Sequence, residues 1–209
     1  MNQNAQNTPE GLRKRLRQLR SALPDTERSR GALLMRGRLF TWLATRRSAL
    51  REQGRPDPRH IAAFWALPEE PDLQGLLRQW AMDDELSVSL PVVTGPAQPL
   101  AFRLWTPDTP MLPGPYGILE PEGPPAPAPD VILVPTLGYT RQGDRIGYGG
   151  GYYDRTLAAL KAGGHPFISV GIAWASGDLS GEPHQPQPHD IRLDAILTDK
   201  GWALAVPEP

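Results

Sequence analysis

Cysteine is absent from all 209 residues. That one absence removes a disulfide scaffold, thiolate zinc sites, iron–sulfur clusters and cysteine nucleophiles, and it fits a reducing compartment. No apolar run approaches the roughly 18 residues that a membrane span needs. The first seven residues, Met1 to Asn7, carry no basic-then-apolar signal. The expectation is a cytoplasmic protein with no membrane partner. Excess charge is missing too. The formal net charge is −1, with 39% hydrophobic and 22% charged residues, which suits an ordinary globular chain and neither a disordered nor a halophilic one. A chain of this length can bury a core without staples, so we expect residues 9–209 to form one domain, a monomer, behind a disordered tail at 1–8.

Proline and arginine are abundant, and both are clustered. Nine of the 25 prolines fall between Pro107 and Pro129. No helix or central strand tolerates that density, so 107–129 is expected as an extended surface loop. Between Gly11 and Arg55 stand twelve arginines and one lysine against Asp25, Glu27 and Glu52. Such a stretch admits three readings: solvated helices, a nonspecific RNA contact, or a cradle for one polyphosphate ligand. No aromatics interleave with Arg13, Arg15, Arg17 and Arg20, as a base-stacking platform would want.

Pattern supplies the elements. Leu12, Leu16, Leu19 and Leu23 recur at helical spacing after Pro9, and a second helix follows Pro24-Asp25 and ends near Gly54. Strands are expected at 60–65, 87–93, 100–105, 130–135, 167–174, 193–198 and 202–206, with helices at 71–81 and 152–162. Strands alternating with helices indicate an α/β layered fold with a mainly parallel central sheet. The run Asp130-Val131-Ile132-Leu133-Val134-Pro135 is its clearest buried strand.

Chemistry concentrates in Gly143-Asp144-Arg145-Ile146-Gly147-Tyr148-Gly149-Gly150-Gly151, between that strand and a helix. Five glycines in nine residues free backbone amides to turn toward an anion, and the next helix adds its positive end. Arg145 can offer a phosphate a planar donor fork. Walker A is excluded, since no Gly-Lys-Ser/Thr occurs, and the dinucleotide fingerprint from Gly147 fails at Tyr152. Asp154, in the first helical turn, suits either a helix cap or a Mg²⁺ ligand. The sequence alone leaves a phosphate-binding α/β protein. A sugar-phosphate isomerase or acyl-transfer enzyme and a noncatalytic RNA-binding protein stay open beside it.

The run from Asp130 through Leu157, centred on Ile146-Gly147-Tyr148-Gly149-Gly150-Gly151-Tyr152-Tyr153-Asp154-Arg155, resembles the 5-formyltetrahydrofolate cyclo-ligase family. Leu12-Arg13, the segment Phe64 to Asp72, Ile118-Leu119-Glu120-Pro121, and Pro183 with His189 to Asp194 resemble further family segments in the same order. The resemblance implies ATP-driven closure of 5-formyltetrahydrofolate to 5,10-methenyltetrahydrofolate through a phosphorylated formyl oxygen, an iminium phosphate, with ADP and phosphate released. It implies Arg145 and Tyr152 in catalysis. ATP would be held by Arg13, Arg145, Ile146, Gly147, Tyr148, Gly149, Gly150, Gly151, Tyr152 and Tyr153. The folate would meet Trp65, Glu70, Tyr148, Gly149, Gly150, Gly151 and Tyr152, and Mg²⁺ would take Asp154 and Asp190. Two bland alternatives stand beside these roles: Glu70 as a helix-start acid, and His189 as a plain loop residue.

Overall fold

Val131 to Val134 have no exposed surface at all, which is why every residue of that run is apolar. A strand alternates its side chains between two faces, and here both faces are covered. Ile61, Val131, Leu133, Val170, Ile172 and Leu197 point to one layer, where Met35, Leu39, Leu43, Leu76, Leu77 and Trp80 meet them. Ala62, Ile132, Val134, Ala173 and Ile196 point to the other, against Leu157. The computed structural model describes residues 8–182, 186–187 and 190–208. Residues 1–7 of the tail expected at 1–8, with Pro183 and His189, lie outside the described residues, and Thr8 is no tail residue but the cap of the first helix.

The helices covering the first layer are α2 (Asp25–Glu52) and α3 (Gln74–Ala81), and α4 (Tyr152–Ala162) covers the second. The strands are β1 (His60–Ala62), β2 (Ser87–Val92), β3 (Ala101–Trp105), β4 (Met111–Pro113), β5 (Leu119–Pro121), β6 (Val131–Pro135), β7 (Gly138–Tyr139), β8 (Arg145–Ile146), β9 (Ile168–Ala173), β10 (Ala195–Thr198) and β11 (Gly201–Leu204). Seven of them form the central sheet in the order β11-β10-β9-β6-β1-β2-β3. Its interior pairs are parallel, and only the two edge strands run antiparallel to their neighbours. This is the α/β layered fold that the alternating pattern indicates.

α1 (Pro9–Ser21) lies apart from both layers. Thr8 caps it by accepting the Gly11 amide at 3.1 Å, and Pro9 opens it. Leu16 anchors it on Leu137 and Leu179, beside Leu12 and Ile146. A helix rich in arginine is thereby held directly over the loop that follows β6.

Most of the basic stretch is consumed by the chain itself. Arg15 pairs with Glu182, and Arg28 with Asp25. Arg38 donates to the carbonyls of Thr198 and Asp199, and Arg46 to that of Pro207. Arg47 and Arg51 close on Asp57 and Glu85. The segment 107–129 does run over the surface, but a small hairpin of β4 and β5 is folded into it, and Arg103 bridges to Pro125.

One buried histidine sets a pH response far from the loop. His60, 4% exposed, donates from Nδ1 to the Ala128 carbonyl at 3.3 Å, so its Nε2 accepts from the Ser89 hydroxyl at 2.9 Å. Burial holds its pKa below the ordinary 6.5. The native ring is then neutral where the unfolded one is charged, so the unfolded state binds the extra proton. Stability is expected to fall as pH drops below about 6.5. Urea midpoints of wild type and His60→Gln, taken at several pH values, should converge toward acid, and a pH-independent gap between them would refute the assignment.

Candidate active site

The loop after β6 sits at the carboxyl ends of the parallel strands, where open α/β sheets place ligands. β7 and β8 pair as a short hairpin and deliver Arg145 into the interior. Its side chain is 5% exposed, and Nη2 donates to Asp154 Oδ2 at 2.8 Å. The guanidinium lies 5.8 Å from the centre of the Tyr153 ring, and Nε is buried with no hydrogen-bond partner among the described residues. Gly147 arches over this group so closely that an added Cβ would collide with Nη1. A larger residue there would have to displace the guanidinium. Gly151, at φ +63°, turns the chain into α4, and no side chain caps that helix. Its first-turn amides remain available to an anion.

Asp154 is the third residue of α4, yet its carboxylate bonds no amide of that helix. Oδ2 takes Arg145, and Oδ1 accepts the Ile191 amide at 3.4 Å. Capping is therefore not its role. Asp190, next to Ile191 in the chain, accepts the Gln187 amide at 2.7 Å. Arg192 reaches Asp144 at 2.7 Å, so the C-terminal segment is tied to the glycine loop from two directions.

α1 supplies the opposite wall. Arg13 Nε donates to the Gly147 carbonyl at 3.1 Å. Arg20, almost two turns further along the same helix face, donates to the Tyr148 hydroxyl at 2.6 Å. Tyr148 in turn donates to Glu70 Oε1. Glu70 is 8% exposed, and its Oε2 accepts the Leu67 amide at 2.8 Å. Burial pushes this carboxyl upward, opposed by the hydrogen bonds of Tyr148 and Leu67 and by the charge of Arg20. α3 begins only at Gln74, whose amide bonds Asp72, so Glu70 is not a helix-start acid. Leu16, Arg20, Phe64, Glu70, Tyr148 and Trp174 enclose a narrow cleft of about 10 Å³.

Of the residues expected to meet the folate, this cleft takes Glu70 and Tyr148 and omits the others. Trp65 packs edge-on against Trp105, 6.1 Å between ring centres. The strand expected to run to residue 65 ends at Ala62, and beyond it Trp65 sits against β3. Tyr152 opens α4 on the exposed side, where its hydroxyl lies 3.0 Å from that of Tyr116, with Arg155 over its ring at 5.2 Å. Among the described residues no group of three metal-ligating side chains occurs.

Residues 5–199 match the family model described as the 5-formyltetrahydrofolate cyclo-ligase family. The chain belongs to that family. A 5-formyltetrahydrofolate cyclo-ligase of Mycolicibacterium smegmatis is 32% identical over 93% of this chain and 95% of its own. One from Haemophilus influenzae is 30% identical over 66% of this chain and 75% of its own. The structure of Aquifex aeolicus 5,10-methenyltetrahydrofolate synthetase superposes with a TM-score of 0.71 at 26% identity, covering 93% of this chain and 91% of that one. The Mycoplasma pneumoniae synthetase shares the fold at a TM-score of 0.65 and 22% identity.

Three features of this cyclo-ligase family member escaped the sequence reading. Arg20 carried a signal, its seven-residue spacing from Arg13 on one helical stripe. Tyr116 carried none. It lies in the proline-rich segment, 74% exposed at φ +63°, facing Tyr152. Glu120, in the Ile-Leu-Glu-Pro segment, turns out to staple the hairpin by accepting the Val93 amide at 2.9 Å.

Proposed function

We propose that the chain closes 5-formyltetrahydrofolate to 5,10-methenyltetrahydrofolate at the expense of ATP, acting as a cytoplasmic monomer. The observation that carries this reading is a buried carboxylate, Glu70, tied to the glycine loop through the Tyr148 hydroxyl. The loop amides of Gly147 to Gly151, with Ile146, Tyr152, Tyr153, Arg13 and Arg145 around them, suit a triphosphate. The Glu70 carboxylate suits the N–H edge of a reduced pterin. Since the cleft is narrow, ligand entry must widen it.

The chemistry asks for placement more than for a protein nucleophile. The formyl oxygen of the substrate takes the γ-phosphoryl group and ADP leaves. The anilino nitrogen then attacks the formyl carbon, the carbon–oxygen bond breaks, phosphate departs and that nitrogen loses its proton. Arg145, fixed beneath the loop, would stabilise charge as it shifts onto the transferred group, and the loop amides would hold its oxygens. Tyr152 would close the ligand side of the loop, and Trp65 would act as an outer wall behind Phe64.

Mg²⁺ is commonly held by one or two carboxylates together with phosphate oxygens and water. Asp154 and Asp190 would hold the ion beside the loop, Asp154 being also the partner of Arg145. When bound, the ion would neutralise charge on the nucleotide. We expect Asp154→Asn to lose ATP-dependent turnover, followed as methenyltetrahydrofolate absorbance, while circular dichroism stays native. A variant that keeps wild-type turnover at limiting Mg²⁺ would sink the ligand role. Wild-type protein that consumes no ATP with 5-formyltetrahydrofolate would sink the whole reading.

A further inference from the structure

Arg13 holds the backbone of the glycine loop, and Arg20 reaches past it. Besides its bond to Tyr148, Arg20 Nη1 stands 3.9 Å from Glu70 Oε1, and its guanidinium lies 5.7 Å from the centre of the Tyr148 ring. Its Nε faces Glu69 Oε2 at 3.6 Å and is buried without a hydrogen-bond partner among the described residues. The side chains of Arg20 and Glu70 are 13% and 5% exposed. Three separate segments of the chain therefore converge on one carboxylate: α1, the glycine loop, and the connection between β1 and α3.

A carboxylate so deeply buried keeps its charge only where neighbours replace the lost hydration. Around Glu70 those neighbours are the Leu67 amide, the Tyr148 hydroxyl and Arg20. The other ionisable groups nearby work against it or are neutral. Glu69 adds negative charge, and the Tyr153 hydroxyl, beside Arg145, is held neutral by its own burial. Arg20 is the one full positive charge within ion-pair distance of Glu70 among the described residues.

We propose that Arg20 is a positioning residue for the cyclo-ligase reaction, acting through Tyr148 to keep Glu70 charged and aimed into the cleft. The consequence for catalysis rests on the folate reading given above. A charged Glu70 accepts the N–H donors of a reduced pterin, whereas a neutral one presents its own O–H to them. Binding on the acid side should then follow the ionisation of Glu70, which burial raises and which Tyr148, the Leu67 amide and Arg20 pull back down.

The test joins two readouts on the full-length chain. In Arg20→Met the acidic limb of kcat/KM for 5-formyltetrahydrofolate should move to higher pH by roughly one pH unit, as expected for losing an opposite charge at this range. The KM for ATP at the plateau should change little. In ¹³C-glutamate-labelled protein without substrate, the Glu70 signal, identified by its loss in Glu70→Gln, should titrate higher by a similar amount. Arg20→Lys should return both toward wild type, since charge is the agent. Turnover lowered evenly, with limb and titration in place, would reduce Arg20 to packing α1 and overturn the proposal. Should Arg20→Met fail to fold, Tyr148→Phe removes the bridging hydroxyl and should shift the Glu70 titration the same way, and an unmoved signal overturns the proposal equally. The titration needs no turnover. It therefore decides the hold of Arg20 on Glu70 even if the wild type proves inactive on folate, a result that would overturn the folate reading alone.

Discussion

Arg145→Ala is expected to lower kcat by about two to three orders of magnitude and to lower the melting temperature with it. A loop arginine has two simpler outcomes. One that grips phosphate would change kinetics alone, and one that packs the loop would change stability alone. The geometry requires both. Arg145 is 5% exposed and bonded to an Asp154 that is 15% exposed, so removing the guanidinium strands a largely buried carboxylate. Breaking such a pair from one side costs about 3 kcal/mol or more. For a chain of this size that corresponds to a fall of roughly 6–12 °C in Tm.

Arg145→Lys separates the two roles. Lysine keeps a charge for Asp154 and loses the second arm of the fork, so it should recover most of the Tm and little of the kcat. Gly147→Ala offers an independent approach, because its Cβ would press on Nη1 from above. It should reduce kcat while leaving the ion pair to adjust. Differential scanning calorimetry and steady-state kinetics on the same three variants decide the matter. Full activity in Arg145→Ala at a depressed Tm would make Arg145 a scaffold and nothing more.

How much of this was legible beforehand depends on the distance over which each signal acts. The strand at Val131 announces itself, since burial on both faces leaves only apolar residues. The glycine loop is partly local: Gly143, Gly149 and Gly151 take positive φ that favours glycine whatever lies across from them, whereas Gly147 is set by Arg145 packed beneath it. Strand ends are less visible. Residues 60–65 read as one strand, but the ladder stops once Ala63 has bonded Ser89, and apolar Phe64 and Trp65 stay enclosed by other means. The site itself is assembled from remote pieces. Arg13 and Gly147 are 134 positions apart, and Tyr148 and Glu70 are 78 apart. Nothing in the local pattern tells an arginine bound for Tyr148 from one bound for solvent. Tyr116 shows the limit most plainly, because proline density says nothing about which residue the hairpin tip sets beside Tyr152.

Glu70→Gln is expected to weaken 5-formyltetrahydrofolate binding by about 1–3 kcal/mol, the cost of leaving buried polar groups unpaired, with ATP affinity nearly unchanged. The substitution keeps part of the bonding in the free protein. A glutamine can keep its carbonyl on the Leu67 amide, and the Tyr148 hydroxyl, which accepts as well as donates, can turn to meet the new NH₂ group. The loss therefore falls on the ligand, whose N–H donors now face a donor. Glu69 is a natural control, though not a silent one. It shares Arg20 and bonds Ser21 at 2.8 Å, and its carbonyl holds the Trp174 indole at 2.7 Å. Its backbone contact survives Glu69→Gln, and its side chain is 33% exposed against 5% for Glu70, so the loss there should stay well below that of Glu70→Gln. Isothermal titration of each variant with each ligand gives four numbers. A folate-specific loss at Glu70 with a small loss at Glu69 is the expected pattern. Equal losses at the two glutamates would mean that general charge near α1, rather than a carboxylate aimed into the cleft, recognises the folate.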